Sequence, residues 1–439
     1  MAGGLAADLG LYALSAAFAA VTAATSTLLP HRAWGTVATV GYLLAALLVG
    51  GQLLLRRRHG GTPLASAAAR TAITVLTFAT TALLPLVLQA IQRAGGRTDR
   101  AQEEVLVVER AGARLLDHGT PYLGHDAIAA LPPDERLLGY TPYQPGMALF
   151  GLPRALAGDG WWSDARVWFA LVTAVLLGLA VAALRHPRQP ATVDAGGSAA
   201  GDGAAGGSAD PYPLVRALQL ATVLPICALT LATGGDDLPV LALCLLALAL
   251  CAARRLGLAG LVIGVAGALK LFAWPVALVL LTHAGTRGWR TGARVAAGAI
   301  GLPVAALLPA WLVDPPALVE NVLRFPLGHG LVASPAQSPF PGHLIASGLP
   351  DGRVLAAALL GAAGLAIAVR LARRPPRTAA AAAMICGYGL LAAILLMPST
   401  RFGYLLYPIA FLAWAPALRL RRPTRTERPE SAAAPVPAP

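Results

Sequence analysis

The sequence predicts an all-α polytopic membrane protein of about ten transmembrane helices plus a short helical hairpin, with a large outer loop after the third span. Three observations predict it. Of 439 residues, 56% are hydrophobic and only 13% are charged, whereas a soluble domain carries about a quarter charged residues. Runs of about 20 apolar residues recur along the chain, long enough to satisfy their own backbone hydrogen bonds across a bilayer. Basic residues gather in short loops beside those runs.

In chain order, spans are expected near 8–29 and 33–55, which with the basic loop to 69 form an N-terminal transmembrane hairpin (1–69). The third span lies near 70–92 and is followed by an outer loop over 93–163. Further spans are expected near 164–185, 213–233, 236–253, 291–313, 352–371, 379–397 and 401–418. A cytoplasmic linker occupies 186–212, Gly/Ala/Ser-rich over 194–209 and so flexible. A second outer loop covers 314–351, and 419–439 reads as a disordered cytoplasmic tail. Residues 256–283 form one apolar stretch with basic residues on both sides. A hairpin turning near Lys270 keeps both basic clusters on one side, though each limb reaches only about 21 Å at the helical rise.

The net charge of +13 does not indicate nucleic acid. Its arginines lie at Arg56-Arg57-Arg58, Arg254-Arg255, Arg287 to Arg294, Arg370 to Arg377 and Arg419 to Arg425, the pattern that marks cytoplasmic loops. Both termini are then expected inside. The four cysteines, Cys227, Cys244, Cys251 and Cys386, lack metal-ligand spacing. The first apolar segment has no basic start and reads as a retained helix. No internal repeat is visible.

Three segments fall on the non-cytoplasmic side. The first carries an amphipathic helix from Gln102 to about Leu116 that Gly119 stops, then Thr120-Pro121-Tyr122 and Tyr140-Thr141-Pro142-Tyr143-Gln144-Pro145. The second contains His329 and His343. The third is the turn Pro398-Ser399-Thr400-Arg401-Phe402-Gly403-Tyr404, where Arg401 breaks the positive-inside trend. A cation there, or at Lys270 in an apolar hairpin, calls for a partner or an anionic ligand. Carboxylates at the start of an outer loop suit a general base. Cations facing the same side suit a phosphate whose charge develops as it leaves.

These features resemble the polyprenol-phosphate-sugar-dependent glycosyltransferases of GT-C type, in particular family 87, which includes bacterial mannosyltransferases. The resemblance covers roughly 70–418. It rests on an acidic residue after a span, on Gly119-Thr120-Pro121-Tyr122 and Tyr143-Gln144-Pro145, on Gly260-Leu261-Val262-Ile263-Gly264 through Ala268-Leu269-Lys270, and on Arg401-Phe402-Gly403-Tyr404 with Tyr407-Pro408. It implies inverting transfer of a sugar, mannose being the family's commonest, from a polyprenyl phosphate to a hydroxyl of a glycolipid or glycan outside the cytoplasm. The family base is typically an Asp in the first large outer loop. The matching stretch here has Glu, so Glu104 is the expected base and Glu103 the next. Lys270, Arg401 and His329 are expected to hold the donor phosphate, and Tyr122 and Tyr143 to line the substrate. The 70–418 segment is then the catalytic domain, in the cell membrane, with the two preceding spans an addition to the pattern. The expected partners are the lipid-linked donor, the acceptor and membrane lipids. No nucleotide-binding loop is visible, and neither a cofactor nor a metal is expected.

Plainer roles stand beside these. Glu103 and Glu104 also fit a solvated helix start, with Asp99 and Asp117 as alternative bases. Lys270 also fits a lysine reaching the interface, and Arg401 an anchor or a partner of an outer Asp. His329 and His343 also fit exposed loop residues. Asp236-Asp237 fits a cation site or a helix N-cap. Tyr122, Tyr143 and Trp161-Trp162 also fit interfacial aromatics. A transporter or flippase would carry buried mid-span charge or a repeat, and a non-catalytic scaffold would survive loss of both glutamates.

Overall fold

The computed structural model describes residues 4–59, 66–185 and 211–419; the linker expected over 194–209 and nearly all of the expected tail lie outside the described residues. Among the described residues the secondary structure is helical, save one isolated bridge between Gln337 and Thr400. The main helices are α1 (Leu5–Thr25), α2 (Leu29–His59), α3 (Ala67–Ala94), α4 (Glu103–His118), α5 (Ala165–Arg185), α6 (Pro211–Thr222) and α7 (Pro225–Thr233). They continue as α8 (Asp237–Ala252), α9 (Leu256–Leu269), α10 (Ala273–Gly285), α11 (Trp289–Val313), α12 (Gly352–Arg373), α13 (Ala379–Leu396) and α14 (Leu406–Trp414).

Seven of these, α1, α2, α3, α5, α11, α12 and α13, are long and apolar enough to cross a membrane. The α6–α7 pair, bent by 44° at a short break, makes an eighth if taken as one span. The count of ten is therefore not reached. The two further spans expected, near 236–253 and 401–418, are the shorter helix α8 and the segment Phe402–Trp414. In α8 every residue is buried. Hydropathy registers an apolar helix without saying whether lipid or protein covers it.

Helices α1 and α2 cross closely, since a Cβ on Gly35 would lie 2.6 Å from the backbone oxygen of Ala19. Polar contacts bind them to the rest. The indole of Trp34 donates to the Thr81 carbonyl at 2.7 Å, inside a π-helical turn of α3, and Tyr42 donates to the Val223 carbonyl at 2.7 Å, at the α6–α7 break. Asp8 receives Arg70 at 2.5 Å and Arg216 at 2.7 Å.

The stretch 256–283 folds as the expected hairpin, α9 and α10 broken at Lys270, whose backbone is extended. Helices α9 and α11 run parallel and touch backbone to backbone. A Cβ on Gly260 would meet Val295 at 2.7 Å, and one on Gly267 would meet the Pro303 ring at 3.0 Å. A Cβ on Gly264 would overlap the Gly298 carbonyl oxygen. Small residues at this spacing let helices approach in a membrane. Because Gly267 faces Pro303 while α11 runs on to Val313, and Lys270 lies three residues beyond Gly267, the hairpin tip stops about 10 Å short of that helix end at 1.5 Å per residue. Gly285, at the far end of α10, lies against Gly292 near the start of α11, so the chain returns to the face it left. On that face the basic turns are tied together: Arg287 donates to the Arg377 carbonyl, and a His283 ring nitrogen to that of Pro376 at 2.8 Å.

Replacing Gly264 by Val should force α9 off α11 and cost about 1–3 kcal/mol, as overpacking does. Thermal unfolding in detergent measures it, with Gly257→Val, where a Cβ meets nothing within 4 Å, as the variant that leaves Tm unchanged.

Candidate active site

The amphipathic segment of the first outer loop forms α4, and Gly119 ends it in the left-handed conformation at φ 71°, as expected. Its start is fastened to the end of α7: the Gln102 N–H donates to the Thr233 carbonyl at 3.0 Å, and the Thr233 hydroxyl to Gln102 Oε1 at 2.8 Å. Its middle is held by a buried ion cluster. Glu109 accepts from Arg93 at 2.6 Å and pairs with Arg154 at 3.2 Å, while Asp164 pairs with Arg93 at 3.0 Å and Arg166 at 2.7 Å. Charges this deep persist only when paired and hydrogen-bonded.

The three segments expected on one side converge. Tyr140 donates to Glu320 at 3.0 Å, and the Thr141 N–H to the Asn321 side chain at 2.7 Å, joining the first outer loop to the second. The second joins the third where the Thr400 N–H donates to the Ala336 carbonyl at 3.0 Å and the Ser338 N–H to that of Thr400 at 2.9 Å. His343 adds a ring N–H to the Pro398 carbonyl at 3.0 Å. The first loop also descends to the hairpin tip, where the Gln144 N–H donates to the Leu269 carbonyl at 3.1 Å. Gly146 fits there because a Cβ would lie 2.7 Å from the Ala268 oxygen.

Two charged groups meet in this space. Glu104, on the first turn of α4, forms an ion pair with Arg401. Below it, Lys270 is buried and its ammonium donates to Asp236 at 2.7 Å and Asp237 at 2.5 Å. The rings of Tyr143 and Tyr404 lie 5.3 and 5.5 Å from the Lys270 nitrogen, within cation–π range. Tyr407 donates to Asp237 at 2.8 Å and stacks on Phe272 with ring centres 5.2 Å apart. Tyr122 donates to the Tyr143 carbonyl at 2.8 Å. Burial raises the phenol of Tyr143, and the charge of Asp236 raises it further, so it stays a neutral donor.

The structure therefore brings Glu104, Arg401, Lys270, Tyr143 and Tyr122 into one region. It does not bring in Glu103, which is exposed beside Glu104, or His329, which is exposed in its loop. Asp99 is paired with Arg97 and Arg100, and Asp117 is exposed. Lys270 does not reach for the interface. The acidic partner of Arg401 is Glu104, where the plainer reading named an anchor or an outer Asp. Tyr122 and Tyr143 are buried at 3% and 6% exposure, unlike the exposed Trp161 and Trp162, so the interfacial reading does not fit the two tyrosines. Asp236 stands at the start of α8 but does not cap it with its side chain. Sequence reasoning missed that Asp236 and Asp237 are the counter-ions of Lys270, and gave Tyr404 and Tyr407 no role. The one available signal was the pair of glycines just before the aspartates, the second in the left-handed region at φ 92°.

The model of glycosyltransferase family 87 matches residues 140–400, more than half of the chain. The chain belongs to that family and is a glycosyltransferase with several membrane-spanning helices. The match begins after Glu104 and ends beside Arg401. No curated protein and no solved structure matches the chain.

Glu109→Ala removes the carboxylate shared by Arg93 and Arg154, leaving Arg93 with Asp164 and Arg154 with Asp159, and should destabilise the protein by about 1–3 kcal/mol, as loss of a buried hydrogen-bonded group does. The drop in Tm of the purified protein measures this, and a Tm within experimental error of the unaltered protein would discard the cluster as a structural clamp.

Proposed function

We propose that this glycosyltransferase moves one sugar, with mannose the first candidate, from a polyprenyl phosphate to a hydroxyl of a glycolipid or glycan, with inversion. The reaction is assigned to the outer face of the cytoplasmic membrane, the side away from the basic turns. The observation that carries the reading is the Glu104–Arg401 pair, a carboxylate and a guanidinium side by side above a buried ammonium. Transfer to a hydroxyl from a phosphate-linked donor needs those two functions within one substrate length of each other.

In the proposed step Glu104 takes the proton of the acceptor hydroxyl as its oxygen bonds to the anomeric carbon. The bond from that carbon to the phosphate oxygen breaks, and its electron pair leaves on the phosphate, held by Arg401. In the resting protein each group occupies the other. Donor phosphate competes for Arg401, and a carboxylate that loses its cation accepts a proton more readily. Of the three N–H groups of Lys270, two are taken by Asp236 and Asp237. The third is available to a phosphate oxygen. Asp236 and Asp237 act as positioning residues for Lys270, and Tyr122 acts the same way through Tyr143. His329 and Glu103 have no part in this scheme.

Membranes containing the protein, a panel of labelled polyprenyl-phosphate sugars and a cell-envelope acceptor test it. Glu104→Gln should lower transfer by about 10²–10⁴-fold, with Glu103→Gln close to the unaltered rate. Transfer that survives in Glu104→Gln removes Glu104 as base, and absence of transfer from every lipid-phosphate donor rejects the donor class. Arg401→Gln should lower kcat/KM for the donor by roughly 10²-fold or more, the scale seen when one donor to a developing negative charge is removed. An unchanged kcat/KM would take the phosphate away from Arg401.

A further inference from the structure

The turn between α1 and α2 and the end of α3 flank an open cavity of about 380 Å³, at the same end of the bundle as the candidate site. Its chemistry is divided. Leu29 and Leu88 line it with half-exposed apolar surface, continuous with the lipid-facing flank of α3 that exposes Leu84 and Ile91. Arg32, Arg97 and Arg100 line its other wall. Asp99 is the one carboxylate there and pairs with Arg97 at 2.8 Å and Arg100 at 2.7 Å, leaving three guanidinium groups against a single negative charge. Arg32 has no carboxylate partner among the described residues. Gln89, also in the lining, is 2% exposed, and neither polar atom of its amide has a hydrogen-bond partner among the described residues. A buried amide without a partner is rare in a finished interior.

Basic surplus, an apolar wall open to the membrane flank and an unsatisfied amide fit one class of occupant. We propose that this cavity holds an anionic phospholipid, its phosphate among Arg32, Arg97 and Arg100 and its acyl chains along Leu29 and Leu88. The Gln89 amide bonds the polar linkage between them. Charge complementarity selects an anionic over a zwitterionic headgroup, because clustered arginines at a membrane interface attract anionic lipid. The occupant cements the first two helices to the segment that leads into α4, where Arg100 gives its carbonyl to Arg166 at 2.6 Å, two residues before Gln102. It occupies a place separate from the donor phosphate at Arg401, and the assay for it contains no sugar donor, so its outcome is independent of the transfer reading.

The test uses the purified full chain, stripped of lipid in detergent and offered equal amounts of phosphatidylglycerol and phosphatidylcholine, with bound lipid counted by native mass spectrometry. The unaltered protein should retain one phosphatidylglycerol more than an Arg32→Gln/Arg97→Gln double variant, whose affinity should fall about fivefold for each arginine removed. Both side chains are exposed, so the fold should survive their loss. Gln89→Leu, which keeps every charge, should also weaken retention. The proposal is overturned if the double variant retains as much phosphatidylglycerol as the unaltered protein, or if phosphatidylcholine is retained equally well.

Discussion

Two carboxylates on one lysine, deep among helices, are the constraint on which the candidate site rests. Lys270 breaks α9 from α10 and turns the hairpin, and Asp236 and Asp237 meet its ammonium from the start of α8. Neither side is tolerable alone: a lone lysine or a pair of aspartates at this depth would cost several kcal/mol. Each is kept by the other, and the tyrosines gather around the same charges. Tyr407 supplies a hydrogen bond to Asp237, and Tyr143 and Tyr404 supply ring faces to the ammonium. The turn Arg401 to Tyr404 is thereby held, and with it the guanidinium that meets Glu104.

Rigidity on one wall contrasts with looser construction on the other. The hairpin is seated on α11 by direct backbone contact at Gly260 and Gly264, which leaves little freedom for α9 to slide. The opposite wall is made of loop segments joined by a few hydrogen bonds, at Ala336 to Ser338 against Thr400 and Phe402. Opening for substrate is cheapest where the fewest contacts are broken, which places movement in the loops and constancy in the hairpin.

Much of this architecture was legible in the sequence, for reasons that can be named. The hairpin followed from basic residues on both sides of one apolar stretch, since charge bias dictates on which side each end lies. Helix α4 followed from its amphipathic spacing and from Gly119. Arg401 stood out because a cation in that turn breaks the bias, and the structure supplies it with a counter-ion. What could not be read depends on which distant residues meet. The glycine pair before Asp236 and Asp237 marks a turn, but it does not point to a lysine more than thirty positions away. Apolarity alone could not separate α8, enclosed by protein, from helices with a face toward lipid. Burial of Tyr122 and Tyr143 is likewise a matter of how the outer loop folds down, and the same composition would suit an aromatic belt.

That descent has a consequence for the substrate's anchor. The hairpin tip lies about 10 Å below the end of α11, so Lys270 sits beneath the level at which that helix ends. For a sugar carried on a lipid tail, each methylene lifted out of the bilayer would cost about 0.8 kcal/mol. Under the proposed reaction, a floor sunk to that depth lets the tail stay in hydrocarbon while its phosphate is engaged. The burden of travel passes to the acceptor, which must send its hydroxyl down to meet it.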